Sequence, residues 1–269
     1  MRLKAIYAIF LLIMFSCSEP DLELDNDYDP KNPDFVAPMT TIQYVDDVIS
    51  ENEIEIFWDG NQVDMEFQTR LDNGDWSDWS NRKSETFSYL DEGIHDIFVK
   101  GKYTSGTVED YPDTVSFEVD AISNNSLRIH PLRTVTTSEE TFFIDIIAED
   151  INENLAGAGI TIKFSESLLS FAGDTLALGS FFSENDDNII YFYSIEKTVG
   201  DIYFHLDIAT IDDAKFFNGT GSIATLELKA LSTNNDAVIQ FIGETTTMRK
   251  ANNNEININE LVGGLIEIE

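Results

Sequence analysis

The sequence predicts an all-β protein made of two consecutive β-sandwiches. Short segments in which apolar and polar residues alternate recur along the chain, and Gly, Asn and Asp separate them, as in strands joined by turns. No apolar pattern of helical period continues beyond a couple of turns. With 269 residues, of which 42% are hydrophobic, the chain is long enough to form two packed cores.

The N-terminus has the three-part layout of a secretory signal. Arg2 and Lys4 precede an apolar run over residues 5–15, and the only cysteine of the chain, Cys17, follows it. This arrangement resembles bacterial lipoprotein signals, in which the cysteine is lipidated and becomes the mature N-terminus. The resemblance implies that residues 1–17 are the signal and that Cys17 anchors the protein to a membrane.

Residues 18–37 are predicted to form an acidic, Pro-containing tether without regular structure. An acidic segment directly behind the lipidated cysteine resembles the surface-export signals of Bacteroidetes-type outer-membrane lipoproteins. That resemblance implies an outer-membrane protein exposed on the cell surface and attached to the membrane through its N-terminal lipid alone.

Residues 38–122 are predicted to form the first sandwich. Alternating segments at 54–58, 65–71, 87–90, 94–100 and 114–119, separated by turn residues, indicate about seven short strands in all. The order of Phe57-Trp58-Asp59-Gly60 followed by Trp76-Ser-Asp-Trp79 resembles immunoglobulin-like or fibronectin type III-like domains of bacterial surface proteins. A short polar joint follows, so we expect the two sandwiches to fold independently.

Residues 126–269 are predicted to form the second sandwich. In the segment 160–164, Ile160, Ile162 and Phe164 point to one side of a strand, and Thr161 and Lys163 point to the other. The segment 202–209 alternates in the same way. Its inward residues are Ile202, Phe204, Leu206 and Ile208, and its outward residues are Tyr203, His205 and Asp207. We expect a turn over residues 150–154 and a loop over residues 176–184.

The second sandwich resembles cohesin domains, which share their fold with a superfamily of carbohydrate-binding modules. The segments that carry the resemblance are, in order, residues 140–146, 154–157, 160–164, 168–169, 219–230 and 264–268. The resemblance implies a jelly-roll sandwich that binds a partner on a flat sheet face, with Gly157 and Gly159 at a tight entry to the strand. Ser165-Glu166 stands where cohesins commonly have Asp-Pro, a departure that concerns the partner more than the fold.

Charge and motifs exclude several classes of function. Fifty acidic residues against 16 basic ones give a net charge of −34, which repels nucleic acids and suits a monomer. No phosphate-binding loop, dinucleotide fingerprint or zinc-protease motif is present. With three histidines and one cysteine, the sequence predicts no catalytic residues, no metal site and no cofactor. We therefore expect a binding protein and not an enzyme.

The outward residues Thr161, Lys163, Tyr203, His205 and Asp207 are the predicted partner-binding residues. A polar face of this kind suits a protein module as the partner, and a polysaccharide is the alternative. In either case we expect the protein to act in a polysaccharide-degrading system. Direct carbohydrate binding would instead use exposed aromatic rings; the candidates are Trp76, Trp79, Tyr191, Tyr193, Phe181 and Phe182. A purely structural role as a spacer or adhesin is the third hypothesis.

Overall fold

The computed structural model describes residues 27–182, 188–212, 214–232 and 235–269. Within these ranges the chain forms nineteen β-strands and one 3-10 helix, Gly243–Thr245. No helix in these ranges is long and apolar enough to cross a membrane. The predicted all-β class is therefore confirmed. The predicted signal with Cys17, and residues 18–26 of the predicted tether, lie outside the described residues.

The first sandwich consists of two sheets that contain seven strands. In chain order these are β1 (Thr40–Ile42), β2 (Val48–Ile49), β3 (Glu53–Gly60), β4 (Met65–Leu71), β5 (Ser84–Ser88), β6 (Gly93–Tyr103) and β7 (Asp113–Val119). Strands β1, β3 and β5 form one sheet, and β2, β7, β6 and β4 form the other. The side chains between the sheets form the first core, in which the ring of Trp58 meets the ring of Phe67 edge-on at 6.1 Å.

The start of the described chain packs against this first core and does not form a free tether. The ring of Tyr28 lies 5.1 Å from the ring of Tyr103, and Phe35 also packs against the core. The hydroxyl of Tyr103 lies 3.1 Å from the carbonyl oxygens of both Val36 and Ala37. The predicted tether over residues 18–37 is therefore too long at its C-terminal end. The rings of Tyr28 and Phe35 pack against the first core because the removal of apolar surface from water lowers the free energy.

The second sandwich contains the remaining twelve strands. They are β8 (Ser126–His130), β9 (Arg133–Thr136), β10 (Thr141–Ser165), β11 (Leu169–Leu178), β12 (Ile189–Lys197), β13 (Asp201–Thr210), β14 (Phe217–Ala230), β15 (Asn235–Phe241), β16 (Thr247–Lys250), β17 (Glu255–Ile256), β18 (Leu261–Val262) and β19 (Gly264–Ile268). The pairing is mostly antiparallel, but β19 runs parallel to β9, and β18 runs parallel to β8.

The long strand β10 belongs to both layers of the second sandwich. Its first half pairs with β14 and β8, and its second half pairs with β13 and β16. Between the halves the pairing register shifts, and Asp150 and Asn154 adopt positive φ angles of 44° and 58°. The turn predicted over residues 150–154 is therefore a bend within one continuous strand, because neighbouring strands supply hydrogen bonds on both sides of it.

A second difference concerns the loop predicted over residues 176–184. Strand β11 extends to Leu178, and Phe181 and Phe182 just beyond it are 8% and 0% exposed. The ring of Phe181 stacks on the ring of Phe217 at 5.3 Å, with an angle of 14° between their planes. Gly221 makes this packing possible, because a Cβ atom there would lie 2.0 Å from the Phe181 ring.

The alternation predicted for the two central strands of the second sandwich is confirmed. Ile160, Ile162 and Phe164 are at most 2% exposed, and the inward residues of β13 are at most 3% exposed. These side chains belong to one continuous core that also receives Ile and Leu side chains from β8, β14 and β19. A hydrophobic core of this size is sufficient to hold a domain together without disulfides.

Two acidic residues in the turn before β6 connect the two sandwiches. The carboxylate of Asp91 accepts hydrogen bonds from His130 Nδ1 and from the backbone N–H of Leu132, both at 2.9 Å. The carboxylate of Glu92 accepts two more, from the backbone N–H groups of Ala121 and Ile122 at 3.0 Å. Burial raises the pKa of Glu92, and these two hydrogen bonds partly oppose that effect. The joint between the sandwiches is therefore held in place by the first one.

Next to this joint lies a buried ion pair that belongs to the second sandwich. Arg128 Nε donates a 2.6 Å hydrogen bond to Glu149 Oε2, and both side chains are 8% exposed. The hydroxyl of Thr220 donates to the other carboxylate oxygen of Glu149 at 2.5 Å. Arg128 also faces Asp91 at 3.6 Å. Charges this far from water need such partners, because an unpaired buried charge is costly.

Candidate functional site

Four strands of the second sandwich present one sheet surface on the side opposite the core. Strand β12 pairs with β13, β13 with the second half of β10, and that half with β16. Directly paired residues share a face of the sheet. We call the surface the outer face; it comprises Ile190, Phe192, Ser194 and Glu196 of β12, Tyr203, His205, Asp207 and Ala209 of β13, Gly157, Gly159, Thr161 and Lys163 of β10, and Thr247 and Arg249 of β16.

The pairing register brings the five residues predicted to bind a partner onto this outer face. Lys163 is paired with Tyr203 and Thr161 with His205. Asp207 is paired with Gly159 one step further along the same two strands. Sequence alternation predicted the side to which each residue points, and the tertiary structure shows that the two strands are neighbours.

One of the five residues, Thr161, cannot reach a partner. It is only 3% exposed, and the segment that leads into β16 lies directly beside it. Its backbone N–H donates to Thr246 Oγ1 at 3.2 Å, and its hydroxyl lies 3.0 Å from His205 Nδ1. The prediction that Thr161 is a solvent-facing contact residue is therefore wrong. Thr161 instead orients the imidazole of His205.

The part of the outer face next to Thr161 is polar. The rings of Tyr203 and His205 lie nearly parallel, with 6.4 Å between their centres. His205 Nε2 lies 3.9 Å from a carboxylate oxygen of Glu196, and Lys163 Nζ lies 3.9 Å from Asp201 Oδ2. These side chains offer both hydrogen-bond donors and acceptors to a partner at the surface.

The other end of the outer face contains a shallow groove of about 330 Å³. Its floor includes Gly157, Gly159 and Ala209, which have no side chain or only a methyl group, and Asp207, which lies between Phe192 and Gly159. Phe192 forms one wall together with Ile190, and Arg249 forms the opposite wall together with Thr247. The groove therefore has an apolar wall and a polar wall, a combination that suits one apolar side chain of a partner flanked by polar groups.

Both glycines have a different role from the one predicted for them. Gly157 and Gly159 lie inside β10, and neither has a positive φ angle. A Cβ atom on Gly159 would lie 3.1 Å from Asp207 Oδ1 and 3.2 Å from Thr247 Oγ1. Their lack of side chains thus deepens the groove and is not needed for a tight turn, because neighbouring strands pass close by on both sides.

The tryptophan candidates for sugar stacking are covered by basic side chains of the first sandwich. Lys100 Nζ lies 4.1 Å from the centre of the Trp76 ring and 5.9 Å from that of Trp79. Lys102 Nζ lies 4.4 Å from the Trp79 ring, and the Arg70 guanidinium lies 4.9 Å from the Trp76 ring. A sugar that stacked on these rings would compete with cation–π contacts that already occupy them.

The other aromatic candidates do not lie on the outer face. Tyr191 and Tyr193 belong to the core side of β12, where the ring of Tyr193 lies 6.0 Å from the ring of Phe204. They are 39% and 41% exposed, because β12 is at the end of the sheet. Phe181 and Phe182 are buried, so the prediction that they belong to a set of exposed stacking rings is wrong.

Sequence reasoning missed the residues that form the groove. Ile190 and Phe192 lie in a segment where nearly every residue is apolar, so alternation does not distinguish its two faces. Arg249 and Thr247 lie on the short strand β16, which pairs with β10 although strands β11 to β15 lie between the two in the chain. Phe192 is 74% exposed, but the groove beside it can be recognised only once the strand pairing is known.

The outer face offers apolar contacts and hydrogen-bonding groups for recognition of a partner. In the described ranges, no three His, Cys, Asp or Glu side chains are grouped so that they could hold a metal ion. The hydroxyl that lies within hydrogen-bond distance of His205 belongs to the buried Thr161, and the exposed Ser194 is paired with His205 on β12.

No family model matches the sequence, and no curated protein matches it. The solved structures similar to this chain include cohesin domains. A non-cellulosomal cohesin from the archaeon Archaeoglobus fulgidus is 12% identical over 55% of this chain and 92% of its own, with a TM-score of 0.43. A type II cohesin from the cellulosome of Acetivibrio cellulolyticus is 16% identical over 53% and 95%, with a TM-score of 0.45.

A third similar structure is a type I cohesin–dockerin complex from Clostridium thermocellum. Its matched chain is 12% identical to this one over 55% of this chain and 100% of its own, with a TM-score of 0.45.

Proposed function

We propose that this chain is a non-catalytic binding protein whose cohesin-like second sandwich recognises a folded protein module through the outer face. The observation that carries the proposal is the groove between Phe192 and Arg249. An exposed aromatic ring beside a recess, with polar side chains around it, is the composition of an interaction hot spot. The resemblance of residues 126–269 to cohesins, stated above from the sequence, supports the same face.

The first sandwich is proposed to be an immunoglobulin-like spacer that holds the binding module at a defined angle. The hydrogen bonds of Asp91 to the second sandwich and of Glu92 to the joint support this role. The N-terminal signal supports a lipid anchor at Cys17 in an outer membrane, with the sandwiches on the cell surface. The partner is proposed to belong to a polysaccharide-degrading system.

Replacing Phe192 with alanine should weaken binding of the partner at least tenfold, which corresponds to about 1.4 kcal/mol. The reason is that the change removes the apolar wall of the groove. Replacing Tyr203 or Asp207 with alanine should lower the binding free energy by about 1–2 kcal/mol each if these residues contact the partner.

Partners would first be captured from native cell extract on the immobilised chain from Ser18 to Glu269. Each captured partner would then be titrated in purified form, together with a panel of purified dockerin modules.

Phe143→Ala is the matched control, because Phe143 is 60% exposed on the opposite sheet. That variant should bind like the unaltered protein, and all variants should keep their melting temperature. Equal binding by the Phe192 and Phe143 variants would reject the outer face. Binding on a glycan array that depends on Trp76 and Trp79 would instead favour direct carbohydrate recognition.

The proposed anchor makes a separate prediction. Cys17→Ala should prevent lipidation, so the protein should move from the membrane fraction to the soluble fraction or accumulate as a precursor. Labelled fatty acid should be incorporated into the unaltered protein and not into the variant, because Cys17 is the only thiol of the chain. Unchanged membrane partitioning and labelling of the variant would contradict the anchor.

A further inference from the structure

Strand β12 stands at an end of its sheet with little protection against pairing. Among the described residues it pairs with β13 alone, in an unbroken register from Ile189 to Lys197. Its first seven residues, Ile-Ile-Tyr-Phe-Tyr-Ser-Ile, carry no charge. Proteins usually protect such edges with lysine, proline or a bulge, because the unpaired backbone groups of an edge strand attract another strand. The first seven residues of β12 contain none of these features.

Apolar side chains on both faces of β12 are also exposed. On the outer face Ile190 is 47% exposed and Phe192 74%. On the core side Tyr191, Tyr193 and Ile195 are 39–41% exposed. The residues paired with these three on β13 are at most 3% exposed. The core of the second sandwich is thus less well covered at this edge than one strand further in.

The sequence of β12 is complementary to itself in an antiparallel pair. If two copies met around Tyr193, each Tyr191 would face Ile195 of the second copy, and each Phe192 would face Ser194 of the second copy. The five central pairs join uncharged residues, whereas further out Ile190 would face Glu196 and Ile189 would face Lys197 of the second copy. The three core-side residues of each copy would cover one another. Two chains that each carry a charge of −34 repel, so they can approach most easily where both surfaces lack charge.

We propose that two copies of this chain associate through β12, antiparallel and about a two-fold axis at Tyr193, so that one continuous sheet joins their second sandwiches. The expectation of a monomer, drawn from net charge, then describes only low salt and low concentration. The pair would carry two outer faces on one side of the joined sheet. This proposal does not depend on which partner the outer face binds.

Cysteine cross-linking tests the pairing and its register. The chain from Ser18 to Glu269 lacks none of the described residues and contains no cysteine, so a single introduced thiol is unambiguous. In Tyr193→Cys, the two thiols would be directly opposed, with Cα atoms about 4.5–5.5 Å apart, a separation that a disulfide spans. In Ser194→Cys the two thiols would be diagonal, about 7–8 Å apart, so mild oxidation should link the former variant and not the latter.

Sedimentation of the chain without introduced cysteines provides a second measurement. The dimer should strengthen with salt, because raising the ionic strength from about 0.1 M to about 1 M shortens the Debye length from about 10 Å to about 3 Å. Phe192→Lys should weaken the dimer at least tenfold, because it brings charge to the pairing strands at a position that is exposed in the single chain. Phe143→Lys, on the opposite sheet, should leave the dimer unchanged.

Three outcomes would overturn the proposal. A chain that remains monomeric at high concentration in both salts would exclude self-association. Cross-linking of Ser194→Cys that is as fast as that of Tyr193→Cys would exclude the register about Tyr193. A dimer that Phe192→Lys and Phe143→Lys weaken equally would place the contact away from β12. Circular dichroism of each variant would establish that it is folded, and Phe192→Lys keeps the test decisive if Tyr193→Cys does not fold.

Discussion

Replacing Phe164 with alanine is expected to lower the free energy of unfolding of the second sandwich by about 3–5 kcal/mol. The ring of Phe164 is 2% exposed and lies 5.4 Å from the ring of Phe171. Phe171 in turn lies 5.7 Å from the ring of Phe204 on β13. Removing Phe164 therefore takes away transfer free energy and leaves a cavity among side chains that strands on several sides hold in place.

Urea unfolding followed with two spectroscopic signals would measure this effect. The three tryptophans of the chain, Trp58, Trp76 and Trp79, all lie in the first sandwich. Tryptophan fluorescence therefore follows the first sandwich, and far-ultraviolet circular dichroism follows both. If the sandwiches unfold independently, Phe164→Ala should shift only the circular dichroism transition that belongs to the second.

Phe143→Ala is the control for this measurement, because Phe143 lies on the same strand but is 60% exposed. Its effect should remain within about 0.5 kcal/mol, as is usual for surface substitutions. A loss below 1 kcal/mol for Phe164→Ala would contradict the core position of the ring. A shift of both transitions by the same amount would show that the sandwiches unfold as one unit.

Replacing Glu149 with alanine is expected to cost about 3–5 kcal/mol of stability. The substitution removes the carboxylate that pairs with Arg128 and leaves that guanidinium buried, with only the more distant Asp91 nearby. It also removes the acceptor of the Thr220 hydroxyl. The loss reflects the cost of an unpaired buried charge more than the strength of the ion pair itself.

A surface ion pair supplies the comparison. Lys229 and Glu139 lie 2.7 Å apart, but their side chains are 34% and 68% exposed. Glu139→Ala should therefore cost between 0 and about 1 kcal/mol. The double variant Arg128→Met with Glu149→Leu should recover most of the stability lost in Glu149→Ala, because it leaves neither charge buried. If the double variant were as unstable as the single one, packing and not charge would explain the loss.

The class of the fold and the inward residues of the central strands are predictable from the sequence alone. Strand side chains alternate with a period of two, so Ile160, Ile162 and Phe164 are recognisable as one buried row without any neighbour being known. The same local rule places Lys163 and Tyr203 on the opposite side. These predictions hold because they depend only on residues that are adjacent in the chain.

Which outward residues remain accessible depends on how the strands pack, and the sequence does not reveal it. Thr161 follows the same alternation as Lys163, but it is buried beside Thr246, which lies more than eighty positions later in the chain. Gly159 becomes the floor of a groove because β13 and β16 flank β10 on both sides. Exposure on a sheet depends on which strands are neighbours and which segments cross over them. That information lies in long-range pairing, and alternation along one strand does not contain it.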